Sequence, residues 1–177
     1  MAVLADRMIR AAKLDIKLYE EVEADKSALR QAMLVVVIAS IAAGLGSVAT
    51  GGVAGIITGT LAALVGWFIW AYLTYFIGTK LLPEAGTSSN PGELLRTIGF
   101  AAAPGTVRIL GVVPFLRDIA FFIAAVWMLV AMVVGVRQAL DYKSTLRAVG
   151  VCIIGWLIQV IIMGIFLFAF VRPALQV

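Results

Sequence analysis

The sequence contains no histidine and only one cysteine, Cys152. These two shortages exclude much chemistry. A single thiol cannot form an intrachain disulfide. Neither a Cys/His zinc site nor a four-cysteine iron–sulfur site can be assembled. The usual histidine ligand for haem is missing. Ser-His-Asp and Cys-His catalytic sets are unavailable. Charge is scarce too: 14% of the residues are Asp, Glu, Lys or Arg, where soluble domains average about 25%. The net charge is a modest +4. From these shortages we expect no enzyme activity, no cofactor, no metal site and no nucleic-acid partner.

What the chain has in abundance is apolar surface. It is 63% hydrophobic over 177 residues, with a mean hydropathy of +1.07. A soluble fold could not bury that much, so the sequence reads as an integral membrane protein. Gln31 to Thr79 carries no charge. As one helix that run would be roughly 74 Å long, far beyond a bilayer core of roughly 30 Å. It must fold back, and Gly44, Gly46, Ser47, Thr50, Gly51 and Gly52 mark the bend. Span 1 is placed at about Ala28–Leu45 and span 2 at about Val53–Gly78. Span 2 ends in Trp67, Trp70, Tyr72, Tyr75 and Phe76, several of which suit an interfacial belt. Span 3 is placed at about Glu93–Val113, span 4 at Ile119–Val136 and span 5 at Ala148–Val171. The resulting fold class is an all-α polytopic bundle of five transmembrane helices.

The third span is the irregular one. Phe100-Ala-Ala-Ala-Pro-Gly-Thr-Val-Arg-Ile-Leu-Gly-Val-Val-Pro114 is too apolar for a surface loop and too broken for an ordinary helix. Pro104 removes a backbone donor and Gly105 adds freedom beside it. Arg108 is the charge inside this run, and a charge inside a span is costly and often functional. It either snorkels to the outer interface or contacts a lipid phosphate, an anionic substrate or Asp118. No membrane-embedded carboxylate faces it in the sequence, which argues against a proton-coupled or cation-coupled transporter.

The first thirty residues are different material. Arg7, Arg10, Lys13, Lys17, Lys26 and Arg30 balance Asp6, Asp15, Glu20, Glu21, Glu23 and Asp25. Leu4, Met8, Ala11, Leu18 and Val22 share one helical face, while Ile9 and Ile16 break it. We expect an imperfectly amphipathic cytoplasmic helix, lying on the membrane surface, docking a partner or packing across its own bundle. A signal peptide is not expected, because the charged segment is long and half acidic. The organisation expected is a helical segment 1–29 and a membrane domain 30–177. With the N-terminus inside, eleven Lys and Arg lie inside, against Arg108, Arg117 and Arg172 outside or buried. The positive-inside rule favours that orientation, and a multi-pass inner-membrane location follows.

Four further features stand out. Gly51, Gly55, Gly59 and Ala63 recur every fourth residue, as either a dimer face or a face packed on a neighbouring span. Internal packing is the preferred reading, because five spans have many contacts to make. Gln159 sits within span 5 and suits an interhelical hydrogen bond. Arg137 and Asp141, four apart with Tyr142 beside them, suit a helix-end ion pair or a docking surface. Cys152 reads as apolar filler.

Two blocks carry a resemblance. One is Leu18-Tyr-Glu-Glu-Val-Glu-Ala-Asp-Lys-Ser-Ala-Leu-Arg-Gln-Ala-Met33. The other is Gly92-Glu-Leu-Leu-Arg-Thr-Ile-Gly-Phe-Ala-Ala-Ala-Pro-Gly105, continuing in Trp127-Met-Leu-Val-Ala-Met132 and Val136-Arg-Gln-Ala-Leu-Asp-Tyr142. The chain resembles the Yip-domain family, membrane proteins named for interacting with Ypt/Rab GTPases, in its bacterial branch. The resemblance implies five transmembrane helices and a cytoplasmic N-terminus. For eukaryotic relatives it implies Rab binding, vesicle trafficking and membrane shaping, roles that depend partly on an Asp-Leu-Tyr-Gly-Pro-type motif. That motif is missing here, Lys17-Leu-Tyr-Glu20 not being equivalent, so no Rab GTPase partner is expected. The function expected is a non-enzymatic scaffold or accessory subunit that contacts lipids and a protein partner or a second copy of itself. The alternative is a small-molecule or lipid transporter that uses the broken third span and Arg108.

Overall fold

The first two helices are joined by a turn in which Leu14 takes φ 60°. α1 (Ala2–Ala12) and α2 (Ile16–Ala24) therefore run as a hairpin, where the sequence suggested one amphipathic helix. Asp15 caps α2 by accepting from the Lys17 amide at 3.0 Å. Two arginines of α1 clamp the hairpin: Arg7 pairs with Glu21 at 2.8 Å and Asp25 at 3.1 Å, and Arg10 pairs with Asp15 and Glu21, each at 2.8 Å. The apolar faces turn inward, burying Ala11, Leu18, Tyr19 and Val22, while Ile9 and Ile16 stay exposed. The structure is a computed structural model that describes residues 2–166, and their side chains except at 2, 49–51 and 162–166.

Every described element is a helix or a turn. α3 is Ala28–Gly46 and α4 is Val48–Phe76, with a break at Gly52. Gly52 adopts φ 59°, a conformation that costs a residue with a Cβ far more. The expected bend between the first two spans is therefore real and sits on a glycine. α4 ends in a π-helical turn, Ile77–Leu81. α5 (Pro91–Ala101) opens on a capping box, with Asn90 and Glu93 exchanging side-chain bonds to each other's amides and Pro91 at the first position. It stops at Ala101, and a 3₁₀ helix, Ala103–Val112, follows with Pro104 near its start. The third span is thus broken where Pro104 and Gly105 predict. A short turn at Pro114–Leu116 leads into α6 (Arg117–Ala139), and α7 is Thr145–Phe166. The end of the fifth span near Val171, and Arg172, lie outside the described residues.

Three stretches are long and apolar enough to cross a membrane: Ala28–Gly46, Gly52–Leu81 and Pro114–Ala139. A shorter apolar helix covers Thr145–Ile161. With the irregular α5–3₁₀ segment among them, these helices make an all-α membrane bundle. Its core is built by α3, α5, α6 and the docked hairpin, with Val35, Ile98, Phe100, Ala131 and Val136 buried between them. Packing is tightest where the 3₁₀ helix crosses the end of α3. A Cβ added at Gly46 would overlap the Arg108 carbonyl, and one at Gly111 would lie 2.8 Å from the Gly46 carbonyl. Only glycine lets those two backbones touch.

The aromatic residues of α4 do not all face an interface. Trp67 is buried and donates to the Leu95 carbonyl at 3.0 Å, and Trp70 donates to the Met132 sulfur at 3.2 Å. Tyr72 and Phe76 are the exposed ones. The indole donors of the first two found partners inside the bundle and drew the rings inward.

Candidate functional site

Arg108 sits on the 3₁₀ helix because the break at Pro104 turns the chain there. Its carbonyl lies against Gly46, so its backbone is fixed. Its guanidinium lies over the Phe121 ring, 5.7 Å from the centroid, and Arg117 approaches the same ring at 6.0 Å. The Arg108 Nε is buried and has no hydrogen-bond partner among the described residues. No described acid pairs with it, Asp118 included. A guanidinium among apolar side chains is costly unless it is paired, and less so toward the end of a span than at its centre. A cation–π contact returns about 0.5–2 kcal/mol. Phe121 is the one cation–π partner of that guanidinium among the described residues, and it supplies no hydrogen-bond acceptor in the ring plane.

Three openings meet at Arg108. A cleft of about 720 Å³ runs between α6 and α7, with Trp70, Met128, Cys152 and Trp156 in its walls. A second cavity, about 240 Å³, holds Ser40, Arg108 and Gln159 together. A third, about 290 Å³, is lined by Ser47, Gly55, Gly59, Ala63 and Phe121. Arg108 and Gln159, far apart in sequence, thus face one space. The glycine stripe opens on the same region: a Cβ added at Gly55 or Gly59 would meet nothing within 4 Å. No described residue packs directly on those two glycines, and Gly51 lies outside the described side chains. Cys152 is buried in the wall of the cleft.

The opposite end of the bundle is arranged otherwise. Tyr142 is buried, and its hydroxyl donates to the Gly78 and Leu82 carbonyls at 2.8 and 2.7 Å. Burial raises its pKa. Arg137 donates to the carbonyls of Tyr142 and Lys143, at 3.2 and 3.3 Å, and forms no ion pair with Asp141. Asp141 itself turns the chain at φ 54° and is exposed. Of the three residues suggested for docking, two thus latch loops together. Glu84 reinforces that latch by accepting from the Lys143 and Ser144 amides at 2.9 and 3.2 Å. Arg147 donates to the Pro83 carbonyl.

Sequence reasoning counted Arg96 only as a positive charge, yet it joins the hairpin to the bundle. It is buried and donates to the Val22 carbonyl at 2.8 Å and to the Glu23 carbonyl. These are the last carbonyls of α2, which a cation satisfies well. The signal was a lone arginine between Leu95 and Ile98, inside an otherwise apolar helix face. The hairpin tip is held by Trp127, whose indole donates to the Ala12 carbonyl at 2.7 Å. Beside Arg96, burial and the neighbouring Asp141 and Glu93 push the Glu23 carboxyl up to about 7. The arginines hold Glu21 and Asp25 the other way, below their ordinary values. In Asp25 the Ser27 hydrogen bond is the larger cause.

Among the described residues no cluster of acids and cysteine can hold a metal ion. No curated protein and no solved structure matches the chain. A family model described as the Yip1 domain does. It matches residues 17–168, from the first turn of α2 through the described length of α7, so this chain of apolar helices is a multi-pass membrane protein of the Yip1 domain family.

Proposed function

We propose that the protein is a non-enzymatic membrane component, a scaffold or accessory subunit, that works through its helix surfaces. One observation carries this reading. Only 6% of the most apolar stretch of α4 is buried within the chain, against 33% for α3 and 28% for α6. A long apolar helix with so little cover, and two open glycines on it, suits a partner helix that approaches closely. The arrangement proposed is five spans with a cytoplasmic N-terminus in the inner membrane. α5 and the 3₁₀ helix end to end measure about 36 Å, enough for a crossing of roughly 30 Å. Labelling should find the two termini on opposite sides of the membrane, and labelling on one side would remove the five-span arrangement.

The test of the contact role is extraction in mild detergent at native expression. The wild type should run with a partner or a second copy, and Gly59→Leu should run alone. A Cβ at Gly59 would meet nothing within 4 Å, and an unchanged melting temperature of Gly59→Leu would show that the bundle itself is intact. A wild type that runs as a lone monomer contradicts the proposal.

A second reading, passage of a small molecule or lipid through the broken third span, is favoured by the cavity that Arg108 and Gln159 share. Flux into vesicles that falls with Arg108→Ala would support it. Vesicles of wild type without flux would remove it.

A further inference from the structure

We infer that Arg108 is the headgroup end of a binding site for an anionic amphiphile, a molecule with one acidic group and a hydrocarbon tail. The tail lies in the cleft between α6 and α7. This goes beyond both readings above, because a resident amphiphile is compatible with a scaffold and with a transporter.

The anionic half of the assignment comes from the charges. Arg108 and Arg117 share the Phe121 ring, and no described acid pairs with either. An anion placed at Arg108 supplies the counter-charge that no described residue provides. The Arg108 Nε–H has no acceptor among the described residues, and the side chain lines the cleft. Guanidinium groups present paired donors that match a phosphate or carboxylate.

The apolar half comes from shape. The cleft that reaches Arg108 holds about 720 Å³, within the roughly 300–1,000 Å³ of small-molecule sites. Apart from Arg108 its walls are apolar or aromatic, with Ala125, Met128 and Leu129 on α6 facing Cys152, Ile153 and Trp156 on α7. A free inorganic anion would satisfy the arginine and leave this surface empty. A zwitterionic lipid would fill the cleft and bring a positive group toward Arg108. An acidic headgroup with a chain satisfies both.

Two tryptophans, Trp70 and Trp156, line the cleft and report on its contents. The experiment uses the full chain in mixed micelles with phosphatidylglycerol carrying a brominated chain, which quenches indole fluorescence on contact. Quenching should saturate, and phosphatidylcholine with the same chain should require roughly ten-fold more lipid, because its choline brings a positive charge to the arginine that its phosphate would bind. Arg108→Gln should bring phosphatidylglycerol down to the phosphatidylcholine level, and Arg108→Lys should restore part of the difference. Ala125→Phe, which fills the cleft without adding an indole and leaves Arg108 in place, should abolish saturable quenching by both lipids. Inorganic phosphate at millimolar concentration should not displace the lipid. Equal affinity for the two lipids, an unchanged preference in Arg108→Gln, or displacement by phosphate alone would each overturn the assignment.

Discussion

The two ends of the bundle treat their arginines in opposite ways. At the end that carries the hairpin, Arg7, Arg10, Arg96, Arg137 and Arg147 have acceptors, mostly carboxylates or helix-end carbonyls, while Arg30 is exposed and has no described acceptor. At the other end, where α3 finishes at Gly46, Arg108 and Arg117 share an aromatic ring and have no described acceptor. Buried donors in folded chains are nearly always satisfied. Where all the bonds are made, the charges explain why the chain holds together. Where a donor is left over, the chain itself gives no reason for the charge, and the reason lies in what it binds.

The largest effect expected from this contrast is at Arg96. Arg96→Ala leaves the Val22 and Glu23 carbonyls at the end of α2 without their donor, and should cost about 3 kcal/mol in thermal unfolding in detergent. Arg108→Met should be neutral or stabilising, since it replaces an unpaired charge in apolar surroundings. Similar losses at both positions would break the contrast. Gly46→Ala should come next, at about 1–3 kcal/mol, because the added methyl meets the Arg108 carbonyl. The same melting curve measures it.

The hairpin end should also respond to pH through Glu23. Its carboxyl titrates at about 7 in the folded chain, above its ordinary 4.5. The folded state therefore holds a proton that the unfolded state releases, and stability falls as pH rises from 4.5 through 7. Glu23→Gln should flatten that part of the profile of melting temperature against pH. The smallest effect is at Gly59. Gly59→Ala should leave the stability unchanged or raise it by up to about 1 kcal/mol, since alanine favours the helix and an added Cβ meets nothing within 4 Å.

Much of this architecture was legible in the residues. Long uncharged runs bounded by charge set the apolar helices, because lipid tolerates little else. Pro104 broke the third span because a proline cannot donate within a helix. The hairpin was not legible, since the turn at Leu14 carries neither glycine nor proline and is held by Arg7 and Arg10 reaching from the first helix to the acids of the second and by Tyr19 donating back to the Ala11 carbonyl. The inward turn of Trp67 and Trp70 was hidden for a similar reason: their partners, Leu95 and Met132, lie far along the chain. For the candidate site, the sequence marked Arg108 and Gln159 singly. It could not show that they share a cavity, which only the crossing of the 3₁₀ helix over α3 produces.

Native mass spectrometry of the full chain, extracted gently from its own membrane, tests the contrast most directly. The wild type should carry an acidic lipid that survives extraction, and Arg108→Gln should lose that adduct while melting no lower. An adduct pattern identical in the two proteins, or a variant that melts well below the wild type, would contradict the account.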